Sequence, residues 1–165
     1  DMTLPEQERE RFCQVLHHSR TSLYRLAFSI TRNSSDAQEA VAEAVCRAYE
    51  RYPQLREKEK LPRWLLKITA NEARRLCQRR GRTVSLDDLP TEPAIPGRET
   101  GDDTLWQAVQ TLPRDQREAV VLFYYEDLPT EEIARIVGTS PGAVRVRLSR
   151  AREKLRSILK EGDYG

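Results

Sequence analysis

Cysteine is scarce in this chain, and its spacing excludes two architectures at once. Cys13, Cys46 and Cys77 stand far apart and outside any CxxC pattern, so neither a disulfide framework nor a zinc site is expected, and a reducing compartment fits. Long apolar runs are missing too. No stretch approaches the roughly 18 residues that span a bilayer, and no charged-then-apolar segment leads the chain. The expectation is a soluble, cytoplasmic protein without direct membrane insertion. Catalytic apparatus is also lacking. His17 and His18 are adjacent on an expected surface helix, and no nucleophile, metal cluster or glycine-rich phosphate loop accompanies them. Neither an enzyme, a cofactor nor a bound metal is expected.

A net excess of one charge is absent as well. Charged residues make up 33% of the 165, yet the formal net charge is +2, so overall basicity carries no argument. The distribution does. Between Arg63 and Arg82 there are seven basic residues against Glu72, and from Pro141 to Lys160 another seven against Glu153. Residues 83–104 carry six acidic side chains and only Arg98. Two basic faces separated by an acidic connector suit two phosphate contacts and a non-contacting linker. For a single run, a solvated helix face would explain the charge equally well; two segregated runs weaken that explanation.

Strand signals are nearly absent, and apolar residues recur at helical spacing throughout, so the fold class expected is all-α. Ala37, Ala40, Val41, Ala44, Val45, Ala48 and Tyr49 form a continuous stripe, preceded by Asp36 and Glu39 at capping-box spacing and closed by Pro53. Leu23, Leu26, Ala27 and Ile30 make a shorter stripe, with Asn33, Ser34 and Ser35 as the turn between the two. Phe12, Val15 and Leu16 suggest a separate helix upstream. Leu61, Leu65, Ala73, Leu76 and Cys77 mark the buried side of a fourth helix ending near Gly81. Pro90, Pro93, Pro96, Gly97 and Gly101 then interrupt the chain. The expected organisation is a helical domain over 8–82, a linker over 83–103 and a second helical domain over 104–161. In the latter, Leu105 to Leu112 is helical, Pro113 breaks it, and the helix resumes from Gln116 to Tyr125.

Two short amphipathic segments meet across Gly138, Thr139 and Ser140. Thr130 suits a helix N-cap, Glu131 and Glu132 the positive end of a helix dipole, and Ile133, Ala134, Ile136 and Val137 an inward face. Gly138 supplies a left-handed stop, Ser140 a cap, and Pro141 a first turn. This is the pattern of a helix-turn-helix whose second helix reads DNA. With Val144, Leu148, Ala151 and Leu155 on the core side, Gly142, Val146, Ser149 and Arg150 face outward, flanked by Arg145 and Arg147. Arginine pairs bidentately with guanine, serine bonds a base or a phosphate, and Val146 suits a thymine methyl. Arg152, Lys154 and Arg156 suit phosphate or water. Some two-helix turns are merely structural, and one such motif on one chain reads DNA weakly.

If Leu65, Ala73, Leu76 and Cys77 are buried, the same helix presents Trp64, Lys67, Asn71, Arg74, Arg75 and Gln78 on its other face. Aromatic rings stack on unpaired bases, amides bond base edges and arginines hold phosphates, which together describe a platform for single-stranded nucleic acid. The plainer alternative is that Trp64 packs under the Pro53 to Lys60 loop as core.

In order and spacing these motifs resemble the extracytoplasmic-function (ECF, group IV) sigma factors of the sigma-70 family, from Leu23 to Leu159. The resemblance implies two small helical domains, sigma-2-like and sigma-4-like, joined by a flexible acidic linker. Asp36 to Tyr49 is similar to the helix that such factors dock on the clamp helices of the largest RNA polymerase subunit. Asp36, Glu39, Glu43 and Arg47 are implied as the polymerase contacts. Trp64 to Asn71 resembles the segment that opens the promoter −10 element, and the loop before it, with Arg56 and Lys58, resembles the one that captures a flipped base. That assigns Arg56, Lys58, Trp64, Lys67, Asn71, Arg74, Arg75 and Gln78 to −10 melting, and Arg79, Arg80 and Arg82 to duplex phosphate. Leu112 to Glu118 and Thr130 to Arg152 look like the family's regions 4.1 and 4.2, the latter reading the −35 element, which assigns Ser140, Pro141, Gly142, Arg145, Val146, Arg147, Ser149 and Arg150 to that element. The implied partners are core RNA polymerase, through its clamp helices and flap, promoter DNA, and an anti-sigma factor; outside such complexes a monomer is expected. Two other readings stay open. One is a stand-alone helix-turn-helix regulator, which leaves the Trp64 face unexplained; the other is an adaptor that binds sigma factors and not DNA.

Overall fold

The computed structural model describes residues 4–81 and 103–161. Helix α1 runs unbroken over Glu6–Thr31, where two separate helices were expected. The intervening stretch, His17 to Ser22, holds neither glycine nor proline; the gap between the two apolar stripes is a polar run within one helix, not a break. The helix stops at Arg32, which takes the left-handed conformation (φ 56°) and returns its backbone N–H to Phe28 O at 2.8 Å. Helix α2 spans Ser34–Arg51. Its cap is Asn33, whose Oδ1 accepts from Asp36 N at 2.8 Å, so Ser34 to Asp36 form the first turn rather than a turn and a capping box. The extended backbone at Asn33 (φ −145°) lets its side chain reach that N–H first. Two 3₁₀ turns, Tyr52–Gln54 and Lys58–Lys60, lead into α3, Leu61–Arg79, with Pro62 in its first turn.

The three helices close on Leu23, Leu26, Ile30, Ala40, Ala44, Leu61 and Leu65, all fully or almost fully buried. Small alanines along α2 let it approach α1 and α3 closely. Phe12 sets its ring edge-on to Tyr49 and Tyr52 at 5.3 Å each, closing the far end.

Helix α4, Asp103–Gln110, is followed by α5, Arg114–Val120. The expected continuation to Tyr125 is there, but it widens into a π turn over Val121–Tyr125, with Glu126 N bonded to Val121 O at 3.1 Å. Buried Trp106 meets Tyr125 edge-on at 5.5 Å. Helix α6, Thr130–Val137, begins at the residue expected to cap it. Thr130 is its first residue, Pro129 holds the cap position, and no side chain caps it. The stop behaves as its glycine suggests. Gly138 sits at φ 77°, its N–H bonded to Ala134 O at 2.8 Å. Ser140 Oγ accepts from Ala143 N at 3.1 Å, opening α7, Pro141–Glu161.

A Cβ at Gly138 would meet nothing within 4 Å, so a substitution there costs backbone conformation alone. Gly138→Ala is expected to lose about 1 kcal/mol and roughly 2–4 °C in Tm. Gly138→Asn should lose less, since asparagine tolerates this region. Thermal unfolding followed by circular dichroism checks both, and a larger loss for asparagine than for alanine would contradict the assignment.

The helices α1–α3 and α4–α7 do not stand apart. Helices α1 and α3 pack against α5, the π turn and α6, and buried residues of both halves join in one apolar cluster. Polar contacts cross the seam as well. Arg117 Nε donates to Ser29 O at 2.6 Å and its Nη1 to Leu112 O at 2.8 Å, while Arg32 Nη1 donates to Gln110 O at 2.6 Å. Ser29 and Gln110 lie in the last turns of α1 and α4, where carbonyls lack a partner in their own helix. Each half therefore supplies a cation to a helix C-terminus of the other, a placement the helix dipole favours. Gln110 Nε2 completes the seam by donating to Ser29 Oγ at 3.2 Å.

Candidate nucleic-acid interfaces

Helix α7 turns Val144, Leu148, Ala151 and Leu155 into the core, and the phase of that stripe decides what faces out. Arg145, Val146, Ser149 and Arg150 are exposed together, Val146 at 47% of its surface. An exposed valine between arginines offers a methyl-sized apolar contact beside two bidentate donors. Pro141 and Gly142 are half-buried at the helix start, and Ser140 is exposed although its Oγ is occupied by the cap. Arg147 stands apart from this group. Its side chain is 25% exposed and leans to Asp115 at 3.8 Å. Farther along, Arg152 Nε bonds Tyr124 Oη at 2.6 Å and its guanidinium lies 5.7 Å from the Phe123 and Tyr124 rings, so this arginine is held by its own fold.

Helix α3 carries the second face. Arg63, Lys67, Asn71, Arg74 and Gln78 recur along one side of the helix within about 80° of each other. Lys67, Asn71, Arg75 and Gln78 are exposed. Trp64 is half-buried against the core cluster rather than open, which joins the two sequence readings: its ring is seated, with part of it accessible. Arg74 is committed on both sides, donating to Asn71 Oδ1 at 3.3 Å and to Glu118 Oε1 at 2.6 Å. Arg75 reaches Glu72 at 3.2 Å. In the loop before α3, Arg56 is exposed, whereas Lys58 Nζ donates to Tyr52 O at 2.6 Å and Leu55 O at 2.8 Å and sits 4.4 Å over the Tyr52 ring. Lys58 thus fastens its own loop.

The polar side of α2 forms a third surface, and there two of the expected groups meet. Asp36 pairs with Arg80 at 3.2 Å, and Glu39 with Arg80 at 3.3 Å and Arg79 at 3.9 Å. Glu43 faces Arg47 at 3.6 Å, and Arg47 holds the buried Glu72 at 2.8 Å. Of these side chains, Glu39, Glu43, Arg47, Glu72 and Arg79 line a hollow of about 220 Å³ between α2 and α3. Arg82 lies outside the described residues.

The seam residues were not singled out for function from the sequence. Arg117, Glu118 and Gln110 are all buried. Burial pushes the Arg117 guanidinium down to about 10, with Arg32 and Arg114 adding to the effect and Glu118 opposing it. Burial likewise raises the Glu126 carboxyl, against a Ser22 hydrogen bond and Arg25. It also raises the Cys77 thiol, which donates to Ile30 O at 3.6 Å. Their only local signal was a run of polar residues, Gln116 to Glu118, leading into the apolar run Ala119 to Leu122. Among the described residues there is no group of metal-ligating side chains, and no helix is long and apolar enough to cross a membrane.

The fold is thus a three-helix body with a basic, tryptophan-bearing helix, packed against a helix-turn-helix whose α7 carries an open basic face. Residues 15–83 match the model of Sigma-70 region 2, and residues 102–155 that of Sigma-70, region 4. The chain is 32% identical over 142 residues to RNA polymerase sigma factor SigV of Bacillus subtilis, covering 85% of this chain and 86% of that protein. It is 32% identical over 143 residues to the ECF RNA polymerase sigma factor EcfG of Rhodopseudomonas palustris, covering 84% and 79%. The structure of sigma factor RpoE of Bartonella quintana, in complex with the anti-sigma factor NepR, superposes with a TM-score of 0.77 at 25% identity, covering 96% of this chain and 100% of that one. The chain belongs to the sigma-70 family as an extracytoplasmic-function sigma factor, and it directs promoter-specific transcription initiation by RNA polymerase.

Proposed function

We propose that this factor divides promoter recognition between its two basic helices. Helix α7 reads the −35 element as duplex, and α3 with its preceding loop holds the opened −10 strand. The functional domains are taken as 8–82 and 104–161, joined by 83–103. The observation that carries the reading is the exposed cluster Arg145, Val146, Ser149 and Arg150, aligned opposite the buried stripe of α7. Its dimensions suit a major groove. Trp64, seated but accessible beside Lys67 and Asn71, supports the second half.

The polymerase contact is assigned to Asp36 and to Glu39, Glu43 and Arg47 of the α2 hollow, where opposite charges already meet and rearrangement within the network would let acidic side chains turn to a partner. Helix α7 alone offers a small footprint, so tight binding requires polymerase core. The factor acts by binding and positioning, without covalent chemistry or a cofactor, in the cytoplasm. An anti-sigma partner is supported by the likeness to the RpoE chain, which was solved with one.

Arg145→Ala and Arg150→Ala are each expected to weaken holoenzyme binding to its duplex −35 site by about 1–3 kcal/mol, or roughly 5- to 150-fold, while Glu153→Ala changes little. Titration of holoenzyme on promoter duplexes at fixed salt measures this. Tight, specific duplex binding by the chain without core would instead favour an independent regulator.

A further inference from the structure

The loop between α2 and α3 is closed by one of its own side chains. Lys58 Nζ reaches back to Leu55 O at 2.8 Å and to Tyr52 O at 2.6 Å, and it lies 4.4 Å over the Tyr52 ring. The carbonyls it takes belong to the end of the first 3₁₀ turn, where backbone oxygens run out of helical partners. A cation is favoured at such an end by the local dipole. Tyr52 is itself fully buried, its ring edge-on to Phe12 at 5.3 Å. Through Tyr52 the lysine ties the loop to the core of the three-helix body.

Closing residues 52–58 in this way fixes what stands at the tip. Arg56 and Glu57 are exposed, and Glu57 pairs with Lys60 at 3.2 Å. Among the described residues, Arg56 is the cation of segment 52–60 that meets neither a carboxylate nor a carbonyl. Leu61 opens α3 directly after the loop, and Trp64 follows in the first turn. An uncommitted guanidinium therefore stands on the segment leading into the strand-holding helix, on a loop whose shape is set before any strand arrives. Lys58 is differently placed. To reach a phosphate its ammonium would give up two carbonyls and a ring, leaving those carbonyls without their partner.

We propose that Lys58 is a positioning residue for base selection: by clamping the carbonyls of Tyr52 and Leu55 it holds the loop in the shape that presents Arg56 to an opened −10 base. This role rests on the assignment of α3 and its preceding loop to the −10 strand. A loop held in one shape discriminates between bases, because the ordering cost is met during folding rather than on binding. Released from the clamp, the loop adapts to several bases, and discrimination falls further than binding does.

The test uses holoenzyme assembled from the full chain and core polymerase, on promoter duplexes randomised across the −10 segment. Templates held in heparin-resistant open complexes are sequenced. A salt titration on a fluorescein-labelled oligonucleotide carrying the selected −10 strand is read by anisotropy, and thermal unfolding is followed for each variant. Lys58→Met keeps a chain of similar length over Tyr52 and loses the donors. It is expected to reduce preference at one −10 position roughly fivefold or more, with the other positions and the slope of log affinity against log salt unchanged. Lys58→Arg, which can still donate to both carbonyls, should retain most of the preference. Arg56→Ala should relax the same position, and adding it to Lys58→Met should relax that position little further. A direct phosphate contact by Lys58 would instead lower the salt slope by about 0.7 with preference intact. A purely structural role would lower thermal stability and recovery of all templates alike. Either result overturns the proposal. If Lys58→Met leaves preference intact while Trp64→Ala still impairs opening, Lys58 loses this role and the strand assignment stands; if neither substitution affects the −10 segment, both fall.

Discussion

Holoenzyme carrying Trp64→Ala is expected to bind core polymerase and duplex promoter DNA nearly as wild type and to lose most of its strand opening. Stacking of one base on an aromatic ring is worth about 1–3 kcal/mol, which corresponds to a roughly 5- to 150-fold loss in the open complex. Permanganate reactivity of unpaired thymines reads this directly. The half-buried setting of Trp64 adds a structural cost, because the ring also packs on the core cluster. Trp64→Phe separates the two contributions, since a smaller aromatic keeps a π face and most of the packing. It should recover much of the opening, whereas Trp64→Leu should recover stability but not opening. Normal permanganate reactivity in Trp64→Ala would remove α3 from the mechanism.

The second large effect is on stability. Arg117→Ala removes two charge-assisted bonds from a residue 7% exposed, leaving the carbonyls of Ser29 and Leu112 without their partner. The expected loss is about 2–4 kcal/mol, or roughly 4–16 °C in Tm. Arg114→Ala, next to it but exposed, should lose under about 0.5 kcal/mol. The contrast matters because Arg117 joins the halves. If they pack as described, the variant unfolds in a broader transition with its two halves uncoupled, visible by calorimetry. A loss confined to α4–α7 would place the bond to Leu112, not the one to Ser29, in charge of stability.

Much of this was legible in local patterns. The stripes on α2, α3 and α7, the glycine stop at Gly138 and the Ser140 cap follow from helical period and turn chemistry, because those effects act within one or two turns of chain. Helix α1 showed its limit: a polar run inside a helix looks like a break when only apolar spacing is read. The Asn33 cap was mistaken for part of a turn because Asp36 and Glu39 offered a competing cap at the right spacing.

Long-range pairing was the part that local patterns did not carry. Ser29 and Arg117 are 88 residues apart, and Arg74 and Glu118 are 44 apart; no periodicity relates such positions. The sequence placed Arg74 on an outward face of α3, and it is on that face, yet the same exposure that suits it for phosphate makes it available to Glu118. Lys58 and Arg152 behave alike, each basic and near an expected DNA surface, each drawn to carbonyls or aromatic rings beside it. A basic residue on the right face is available for DNA only if nothing closer claims it.

The central claim is that one chain directs polymerase by reading duplex with α7 and holding single strand with α3. Transcription in vitro with core polymerase on a randomised promoter library, with the start sites sequenced, tests it most directly. Initiation is expected only when the factor is added, from sites sharing two separated elements, with Arg150→Ala relaxing preference in the upstream one and Trp64→Ala reducing output from all of them. Initiation from sites that share no common upstream elements, or output unchanged by both substitutions, would contradict it.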